Sequence, residues 1–332
     1  MRILVTGGAG YIGSHLVDAL LAEGHEVWVV DNLSTGRLEN IQHLLAGQYR
    51  IRFKQDSILN EPLMREMIAG VELVYHLAAV VGVKYVVEKP RECIRTNVRG
   101  TEVVLEHAWR NRVRTVVVSS SEVYGKSSAL PLSEEDDSLF GATTAPRWAY
   151  ALAKALDEHL ALDYARQGLP VSVVRYFNSY GPRLDEEGYG SVVARFVAQA
   201  LRGEPMTVFD DGQQTRCFTY VSDTVKGTLL AGTVPGAAGK VFNIGSDREI
   251  CIADLARLVR SLTVSQSEIV YLPAGQAYGS RFEETRRRRP DVRRARDLLG
   301  FTAQVSLEEG LRRTIDWFRA GHLRIGSLCE QG

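Results

Sequence analysis

The sequence predicts an α/β protein, with a Rossmann-type doubly wound parallel sheet and a smaller C-terminal α/β lobe. Apolar strands alternate with amphipathic helices through the first half of the chain, and this rhythm breaks from about residue 180. The strands are continuous β-branched runs, which are typical of strands covered on both faces. Together these observations indicate a parallel sheet with helices on both sides.

The elements follow in order along the chain. The predicted strands are RILVT, EVWVVD, RIRFKQD, ELVYHLAA, TVVVSSS and VSVVRYFN, with helices at 11–23, 90–111 and 146–167. Later segments such as GPRLDEEGYG and GEPMTVFDDGQQTRCF are rich in glycine, proline and charge, and helices are predicted at 191–202 and 252–262. We expect a nucleotide-binding domain over 1–178, with returns near 215–248, and a discontinuous substrate-binding lobe over 179–332.

Composition narrows the range of functions. The 332 residues are 45% hydrophobic, and 40 basic residues balance 40 acidic ones, so no overall field attracts nucleic acid or an anionic membrane. Four separated cysteines without a C-x-x-C pair suit reduced thiols, and the N-terminus lacks the pattern of a signal peptide. No apolar run approaches the roughly 20 residues of a membrane span. We expect a cytoplasmic protein without nucleic-acid or membrane partners, and the scattered histidines predict no metal site.

The segment VTGGAGYIGSHL follows the first strand and enters the first helix. Gly7 allows a tight turn, Gly10 lets the backbone approach a pyrophosphate, and Gly13 allows close helix packing. The helix N-terminus would then face the anion. This context predicts a dinucleotide site.

A carboxylate at the end of the second strand predicts which dinucleotide binds. Asp31 can accept hydrogen bonds from both ribose hydroxyls and would repel a 2′-phosphate, which favours NAD. Arg37, in the same loop, is the feature that would suit NADP. Asp56, after the third strand, is either an adenine contact or a helix N-cap.

Tyr150 and Lys154 lie one helical turn apart on a predicted helix, so they share a face. This helix follows the strand that ends in SSSEVYG, so both can face one cleft. A nearby ammonium would lower the phenol pKa from about 10 toward working pH. Tyr150 could then remove a substrate hydroxyl proton, with Ser120 hydrogen-bonded to the same oxygen. The alternative is a surface lysine beside a half-buried tyrosine.

With these residues in view, the sequence resembles the extended short-chain dehydrogenase/reductases that act on nucleotide sugars, over nearly the whole chain. The motifs that carry the resemblance are TGGAGYIG, DNLSTG, HLAA, TNVRGT, SSSEVYG, YALAK, RYFNSYGPR, TRCFTYVSD, FNIGS and RRP. The resemblance implies tightly held NAD, hydride removal from sugar C4, and a homodimer packed through helices 90–111 and 146–167.

The expected sites are as follows. The catalytic residues would be Tyr150, Lys154, Ser120, Ser121 and Glu122. NAD would contact Gly7, Gly10, Tyr11, Ile12, Gly13, Asp31, Asn32, Ser34, Thr35, Gly36, Asp56, Leu77, Ala78, Ala79, Asn97, Tyr150 and Lys154. A UDP-linked sugar would contact Asn178, Arg183, Val193, Val208, Phe209, Arg216, Arg288 and Arg289.

The arginines also make sense without the resemblance. A net-neutral protein that binds a diphosphate needs local guanidinium groups, which grip phosphate oxygens in pairs. The run RRRRPDVRRAR exceeds what one ligand needs, so we expect most of it to be solvated and one or two of its arginines to bind. Arg183 could pair with a substrate carboxylate, although the Gly-Pro-Arg sequence is widespread among relatives that use neutral sugars.

Three reactions compete after oxidation at C4, and Glu122 distinguishes them. The Ser121–Gly125 signature resembles that of UDP-xylose synthases and of bacterial UDP-glucuronate oxidative decarboxylases, and the Pro-Arg-Trp before the tyrosine helix resembles that of the bacterial enzymes. In both groups a 4-ketone lets C6 leave as CO2. A 4,6-dehydratase would use Glu122 as the C5 base, but thymidine-linked dehydratases have an aspartate where Ser121 stands. A 4-epimerase of UDP-glucose or UDP-glucuronate needs no glutamate and is the main alternative. We expect Glu122 at the C5/C6 end, where it protonates or orients the decarboxylated intermediate.

Outside catalysis, the alternative is a sensor that binds NAD without chemistry. Tyr150 and Lys154 count against it, because such a protein needs neither of them.

Overall fold

The computed structural model describes residues 1–82, 86, 88–186, 191–273, 275 and 285–322. One of the four cysteines, Cys329, and the end of the segment GPRLDEEGYG (181–190) lie outside the described residues. The strands of the large sheet are β1 (Arg2–Thr6), β2 (Glu26–Asp31), β3 (Ile51–Gln55), β4 (Leu73–His76), β5 (Arg114–Ser120), β6 (Val171–Tyr176) and β11 (Val241–Ile244). All neighbouring pairs are parallel, in the order β11-β6-β5-β4-β1-β2-β3.

Helices cover both faces of this sheet, and further helices pack against the short strands of the second half of the chain. The described helices are α1 (Tyr11–Ala22), α2 (Glu39–Leu45), α3 (Glu61–Ala69), α4 (Pro90–Ile94), α5 (Gly100–Asn111), α6 (Trp148–Arg166), α7 (Val192–Arg202), α8 (Val221–Thr233), α9 (Ile252–Thr263), α10 (Arg293–Leu299) and α11 (Leu307–Trp317). A π-helical turn, Arg95–Arg99, joins α4 to α5, so the predicted helix 90–111 is one stretch with a local widening. Among the described residues, no helix is long and apolar enough to cross a membrane.

Two apolar layers hold the sheet between the helices. One contains Leu16 of α1 and Val225 of α8, and the other contains Met64 of α3, Val104 of α5 and Ala161 of α6. All five are at most 5% exposed. This two-sided burial explains why the strand sequences are continuously apolar rather than alternating.

Short strands form the remaining sheets. They are β7 (Ser179–Tyr180), β8 (Met206–Phe209), β9 (Thr215–Cys217), β10 (Thr219–Tyr220), β12 (Glu249–Cys251), β13 (Ile269–Leu272) and β14 (Arg287–Arg288). The second half of the chain thus returns to the large sheet through α8 and β11. Residues 215–217 were expected to belong to this return, but they pair with β12 and β14 instead. The division into two functional domains stays a prediction.

The order of the large sheet fixes where a ligand can bind. From β1 the chain moves outward to β2 and β3 and then returns to β4 on the other side of β1. Helices that leave neighbouring strands in opposite directions open a crevice at the carboxyl ends of β1 and β4. The fold therefore places the ends of β1, β2, β4 and β5 around one cleft.

Candidate active site

A cleft of about 840 Å³ runs along the carboxyl ends of the large sheet. It collects most of the residues predicted from the sequence. Those lining it are Gly7, Gly10, Tyr11, Ile12, Gly13, Asp31, Asn32, Ser34, Thr35, Gly36, Asp56, Leu77, Ala78, Ala79, Ser120, Glu122, Tyr150, Lys154, Asn178, Arg183, Val193, Phe209, Arg216 and Arg288.

The turn after β1 is shaped for a dinucleotide. Gly7 has φ +72°, and a Cβ there would lie 2.7 Å from the backbone nitrogen of Ala78. At Gly13 a Cβ would lie 2.1 Å from the carbonyl oxygen of Gly7. Both contacts involve backbone, which cannot move aside as a flexible side chain can. The glycines therefore keep the start of α1 close to the ends of β1 and β4, with its amide groups directed at the cleft.

The Asp31 carboxylate is fixed at the end of β2. It accepts hydrogen bonds from the backbone nitrogens of Ala9 and Leu33, each at 2.9 Å. Burial raises the pKa of Asp31, and those backbone donors oppose the rise. A Cβ at Gly36 would lie 2.8 Å from Oδ2 of Asp31, so glycine lets the loop close against this carboxylate. The arrangement fits an adenosine ribose, whose two hydroxyls can donate to the remaining lone pairs.

The arginine that would suit NADP is held by an acid from the second half of the chain. Arg37 donates to Asp185 at 2.5 Å, 148 positions away. This pairing draws the guanidinium away from the role of binding a 2′-phosphate. Asp56 lines the cleft and accepts a hydrogen bond from Asn60 at 2.8 Å. Asn60, not Asp56, is the N-cap of α3, so the N-cap interpretation of Asp56 is wrong.

Tyr150 and Lys154 share one face of α6, as predicted, and both line the cleft with Ser120. Burial raises the pKa of Tyr150 well above its ordinary value, the charge of Glu122 adds to this, and a hydrogen bond with Ser120 opposes it. The expected lowering of this pKa by Lys154 is therefore not what the surrounding side chains produce. Burial of the phenol is the largest cause of the rise.

Glu122 lies between two guanidinium groups at the end of β5. Arg288 donates to its Oε1 at 2.7 Å, and Arg147 donates to Oε2 at 3.3 Å. Burial raises the pKa of Glu122, but Arg288, Arg147 and then Arg216 outweigh burial and lower it to about 2. Glu122 is therefore a carboxylate throughout the neutral range. It is not a plain surface residue, since it joins the end of β5 to β14.

Arg288 differs from the other arginines of the basic run. It is 5% exposed and pairs in register with Arg216, which is 8% exposed, so both guanidinium groups reach the cleft from adjacent strands. Five other arginines of the run pair with acids outside the cleft. These pairs are Arg286–Asp211, Arg287–Glu249, Arg293–Asp291, Arg294–Glu135 and Arg296–Asp297. The expectation of one or two cleft arginines thus agrees with the geometry.

The opposite end of the cleft is more apolar. Val193 at the start of α7 and Phe209 at the end of β8 line it, and the Arg195 guanidinium lies 4.7 Å from the centre of the Phe209 ring. Asn178 has φ +37° and donates to the carbonyl oxygen of Cys217 at 3.2 Å. An aromatic ring with a stacked cation provides a flat surface suited to a nucleotide base.

Four predicted residues do not line the cleft, namely Ser121, Asn97, Val208 and Arg289. Successive side chains of a strand point to opposite faces, so Val208 points away from the cleft where Phe209 faces it, and Arg289 follows the end of β14 at Arg288. Ser121 begins the 3₁₀ turn Ser121–Tyr124 and immediately precedes Glu122 in the sequence. Its side chain is buried.

Asn97 supports the cleft wall from behind. Its amide group accepts from the nitrogen of Val80 at 2.7 Å and donates to the carbonyl oxygen of the same residue at 3.1 Å. Arg183 does line the cleft, but it pairs with Asp18 of α1 at 2.6 Å. This ion pair uses only Nη1 of the five-donor guanidinium, and the role of Arg183 in binding a substrate carboxylate stays a prediction.

Sequence reasoning missed Arg147, Arg195, Asp157 and Asp185 as site residues. Arg147 precedes Tyr150 by three positions, and that helical spacing could have placed it on the same face. Asp157 follows Lys154 by three positions, so the same helical spacing could have identified it. Among the described residues, no group of three or more His, Cys, Asp or Glu is arranged to hold a metal ion.

The NAD dependent epimerase/dehydratase family model matches residues 3–245. A UDP-N-acetyl-alpha-D-glucosaminuronate decarboxylase of Bacillus cytotoxicus is 45% identical over 318 residues, which are 96% of this chain and 98% of the relative. UDP-glucuronic acid decarboxylase 1 of Xenopus tropicalis is 39% identical over 321 residues, covering 96% of this chain and 72% of the relative.

Solved structures give the same fold. A UDP-glucose 4-epimerase from Thermotoga maritima, with UDP-glucose, superposes with a TM-score of 0.87 at 36% identity, covering 96% of this chain and 99% of that one. A UDP-glucuronic acid 4-epimerase from Bacillus cereus, with UDP-glucuronic acid and NAD, has a TM-score of 0.86 at 31% identity, with coverage of 96% and 99%.

Proposed function

The chain belongs to the NAD dependent epimerase/dehydratase family, and we propose that within this family it is a UDP-uronate decarboxylase. It would oxidise the sugar at C4 and then release C6 as CO2. The observation that carries the proposal is the Glu122 carboxylate, held between Arg288 and Arg147 in the cleft that Tyr150 also lines. The decarboxylases among its relatives support the same assignment.

The cleft residues that follow β1 and end β2 fit NAD. The tight glycine turn, the start of α1 and the fixed Asp31 carboxylate match a pyrophosphate followed by an adenosine ribose. When bound, NAD would accept a hydride at sugar C4 and could return it after decarboxylation. The chain's own residues would bind the sugar, orient it and move its protons.

Tyr150 would begin the reaction in its phenolate form, which the positive charge of Lys154 in the same cleft favours, by taking the proton of the C4 hydroxyl while Ser120 holds the same oxygen. The resulting C4 ketone makes the C6 carboxylate that of a β-keto acid. The C5–C6 bond then breaks, its electron pair moves toward the C4 oxygen, and CO2 departs. Tyr150 can return its proton to that oxygen, giving an enol. A proton from solvent water then adds to C5 while Tyr150 takes back the enol proton, which restores the ketone and leaves a UDP-4-keto-pentose with one carbon fewer.

Glu122 is assigned an orienting role rather than the role of proton donor. Its pKa of about 2 keeps it ionised at neutral pH, because Arg288 and Arg147 favour the charged form. A fixed carboxylate flanked by two guanidinium groups can align a polar sugar substituent by hydrogen bonds and exclude the wrong orientation. The sequence left open whether this residue protonates or orients, and the ion pairs favour orienting.

The second candidate substrate is UDP-N-acetyl-glucosaminuronate. The Bacillus cytotoxicus relative, which is 45% identical over 96% of this chain, is named for that substrate. Both uronates carry the C6 carboxylate that the chemistry requires, and they differ at C2. A 4-epimerase stays the alternative reaction, since solved neighbours at 31–36% identity include 4-epimerases.

The test incubates the purified protein with each UDP-uronate and follows CO2 release, NADH absorbance and nucleotide-sugar mass together. We expect CO2 with at least one of them and a product that has lost the mass of CO2. Tyr150→Phe should bind the nucleotide sugar without releasing CO2. Unchanged mass with an inverted C4 would establish a 4-epimerase instead, and a protein that never forms NADH with either substrate would contradict both enzymatic assignments.

The proposal includes a homodimer in the cytoplasm. Three apolar side chains support the predicted helical interface: Ile94 in α4 and Leu152 and Leu156 in α6 are 46%, 36% and 50% exposed. Leu152 and Leu156 lie one turn apart, so they share a face. Leu156→Glu should shift the protein toward monomer in light scattering, whereas Leu298→Glu, an equally exposed leucine on α10, should not. Cell fractionation tests the location.

A further inference from the structure

The Lys154 ammonium is buried together with an acid that the proposed reaction does not use. Its Nζ donates to the carbonyl oxygen of Val118 at 2.9 Å and to Oδ2 of Asp157 at 3.0 Å. The Lys154 side chain is 3% exposed, and that of Asp157 is 0% exposed. Neither group therefore has bulk water to stabilise its charge.

Burial of a single charge is unfavourable and favours the neutral form of the group. An ammonium in this position without a counter-ion would tend to lose its proton, and the neutral amine would no longer stabilise charge on Tyr150. Asp157 supplies the missing negative charge on the same helix. For Asp157 itself, burial raises the pKa, while the charge and hydrogen bond of Lys154 and the hydroxyl of Thr101 lower it.

A series of buried side chains leads from Asp157 to the end of β1, where the glycine turn begins. His76, at the end of β4, contacts Oγ1 of Thr101 through Nε2 at 3.0 Å and Oγ1 of Thr6 through Nδ1 at 2.8 Å. Oγ1 of Thr6 in turn accepts from the backbone nitrogen of Ala78 at 3.2 Å. These residues come from β1, β4 and α5, so the series joins three elements beneath the cleft.

The donor and acceptor of each hydrogen bond in this series follow from the charge of Asp157. Oδ1 of Asp157 has no hydrogen-bond partner among the described residues, and the Thr101 hydroxyl lowers the pKa of this carboxyl. An ionised carboxylate favours a Thr101 O–H that points toward it, and Thr101 then accepts from Nε2–H of His76. Nδ1 of His76 then carries no proton and accepts from Thr6. Burial, followed by the charge of Lys154, lowers the pKa of His76 to about 3, which agrees with a neutral imidazole.

We propose that Asp157 is a positioning residue of this active site: it keeps the Lys154 ammonium charged and fixed, and Thr101 and His76 fix Asp157 in turn. The kinetic part of the proposal rests on the proposed function, in which Lys154 serves Tyr150. The Lys154–Asp157 pair is surrounded by charged and titratable groups from several elements. Besides Asp157 itself, they are Glu158 and Tyr150 on α6, His76 on β4, Cys93 on α4 and Glu122 after β5.

Asp157→Asn tests the proposal, because it keeps the shape and removes the charge. Titration of selectively labelled lysine side chains by NMR should show Lys154 losing its proton at lower pH than in the parent protein. The alkaline limb of the pH–rate profile should move to lower pH by the same amount. Asp163→Asn is the matched control: Asp163 lies on the same helix, is exposed, and pairs with Arg166. It should change neither readout.

Thr101→Val provides a second variant, in which the hydroxyl is removed at nearly constant volume. It should shift the Lys154 titration in the same direction and by less, because Asp157 then holds its proton more readily. An unchanged Lys154 titration in Asp157→Asn would overturn the proposal, as would a rate that falls equally at every pH. The NMR titration needs no substrate, so failure of the proposed function would leave this result standing.

Discussion

Arg288 donates a hydrogen bond of 2.7 Å to Glu122, although 166 positions separate them in the sequence. The contact joins β14 of a small sheet to the end of β5 in the large sheet, across the cleft that both side chains line. It makes Glu122 a fixed anion between two cations rather than a free acid.

Glu122→Gln should lower the rate of CO2 release by about 100-fold, because a misplaced sugar loses the aligned geometry that the reaction needs. Gln keeps the shape but leaves Arg288 and Arg147 without their counter-ion. Turnover at saturating UDP-uronate measures the effect, and Glu135→Gln, an exposed surface acid, serves as the control. Unaltered turnover and product in Glu122→Gln would remove Glu122 from the mechanism.

Arg288→Met should shift the acid limb of the pH–rate profile to higher pH. The pKa of Glu122 is held at about 2, so the carboxylate persists as the pH falls until that value is reached. Loss of Arg288 moves this pKa upward, by about 1–3 pH units for a neighbouring guanidinium, so the carboxylate is lost at higher pH. The profile of kcat measures the shift. Arg287→Met, which breaks only the exposed pair with Glu249, should leave it in place.

Asp185→Asn should improve NADP binding relative to NAD by about fivefold, which corresponds to the roughly 1 kcal/mol that an exposed ion pair contributes at most. The change releases Arg37 from its 2.5 Å contact and lets the guanidinium turn toward a 2′-phosphate. Binding of each cofactor by calorimetry measures the ratio. Asp211→Asn breaks a comparable surface pair with Arg286 and should not alter it. Equal ratios in all three proteins would show that Asp31 alone sets the preference.

Gly13→Ala should destabilise the protein by about 1–3 kcal/mol and reduce the amount of NAD that copurifies with it. The added Cβ would lie 2.1 Å from the carbonyl oxygen of Gly7, so α1 must move away from the turn. Thermal unfolding and released NAD measure the two effects. Gly236→Ala meets nothing within 4 Å and is the control. Full NAD content in Gly13→Ala would contradict the assigned turn geometry.

Much of the fold could be predicted because its signals are local. The glycine turn, Asp31 at a strand end and the Tyr150–Lys154 spacing each lie within one strand-turn-helix unit, so short-range geometry places them. Alternation of strand and helix similarly predicts a parallel sheet. Val208 and Arg289 stay predicted contacts: each adjoins a residue that lines the cleft, and the direction of each side chain depends on tertiary packing that the sequence does not show.

The doubly wound sheet, the glycine turn after β1 and the shared helix face of Tyr150 and Lys154 could be predicted from the sequence, because each depends on residues close together along the chain. The ion pairs of Glu122, the contact of Arg37 with Asp185 and the contact of His76 with Thr101 are visible only in the folded protein. Such contacts join segments 70 or more positions apart in several cases, including Thr6 with His76. Their distances depend on strand order and on how the outer strands pack over the sheet. Charge and pKa at the site follow from those distances, and for this reason the state of each catalytic group could not be obtained from spacing alone.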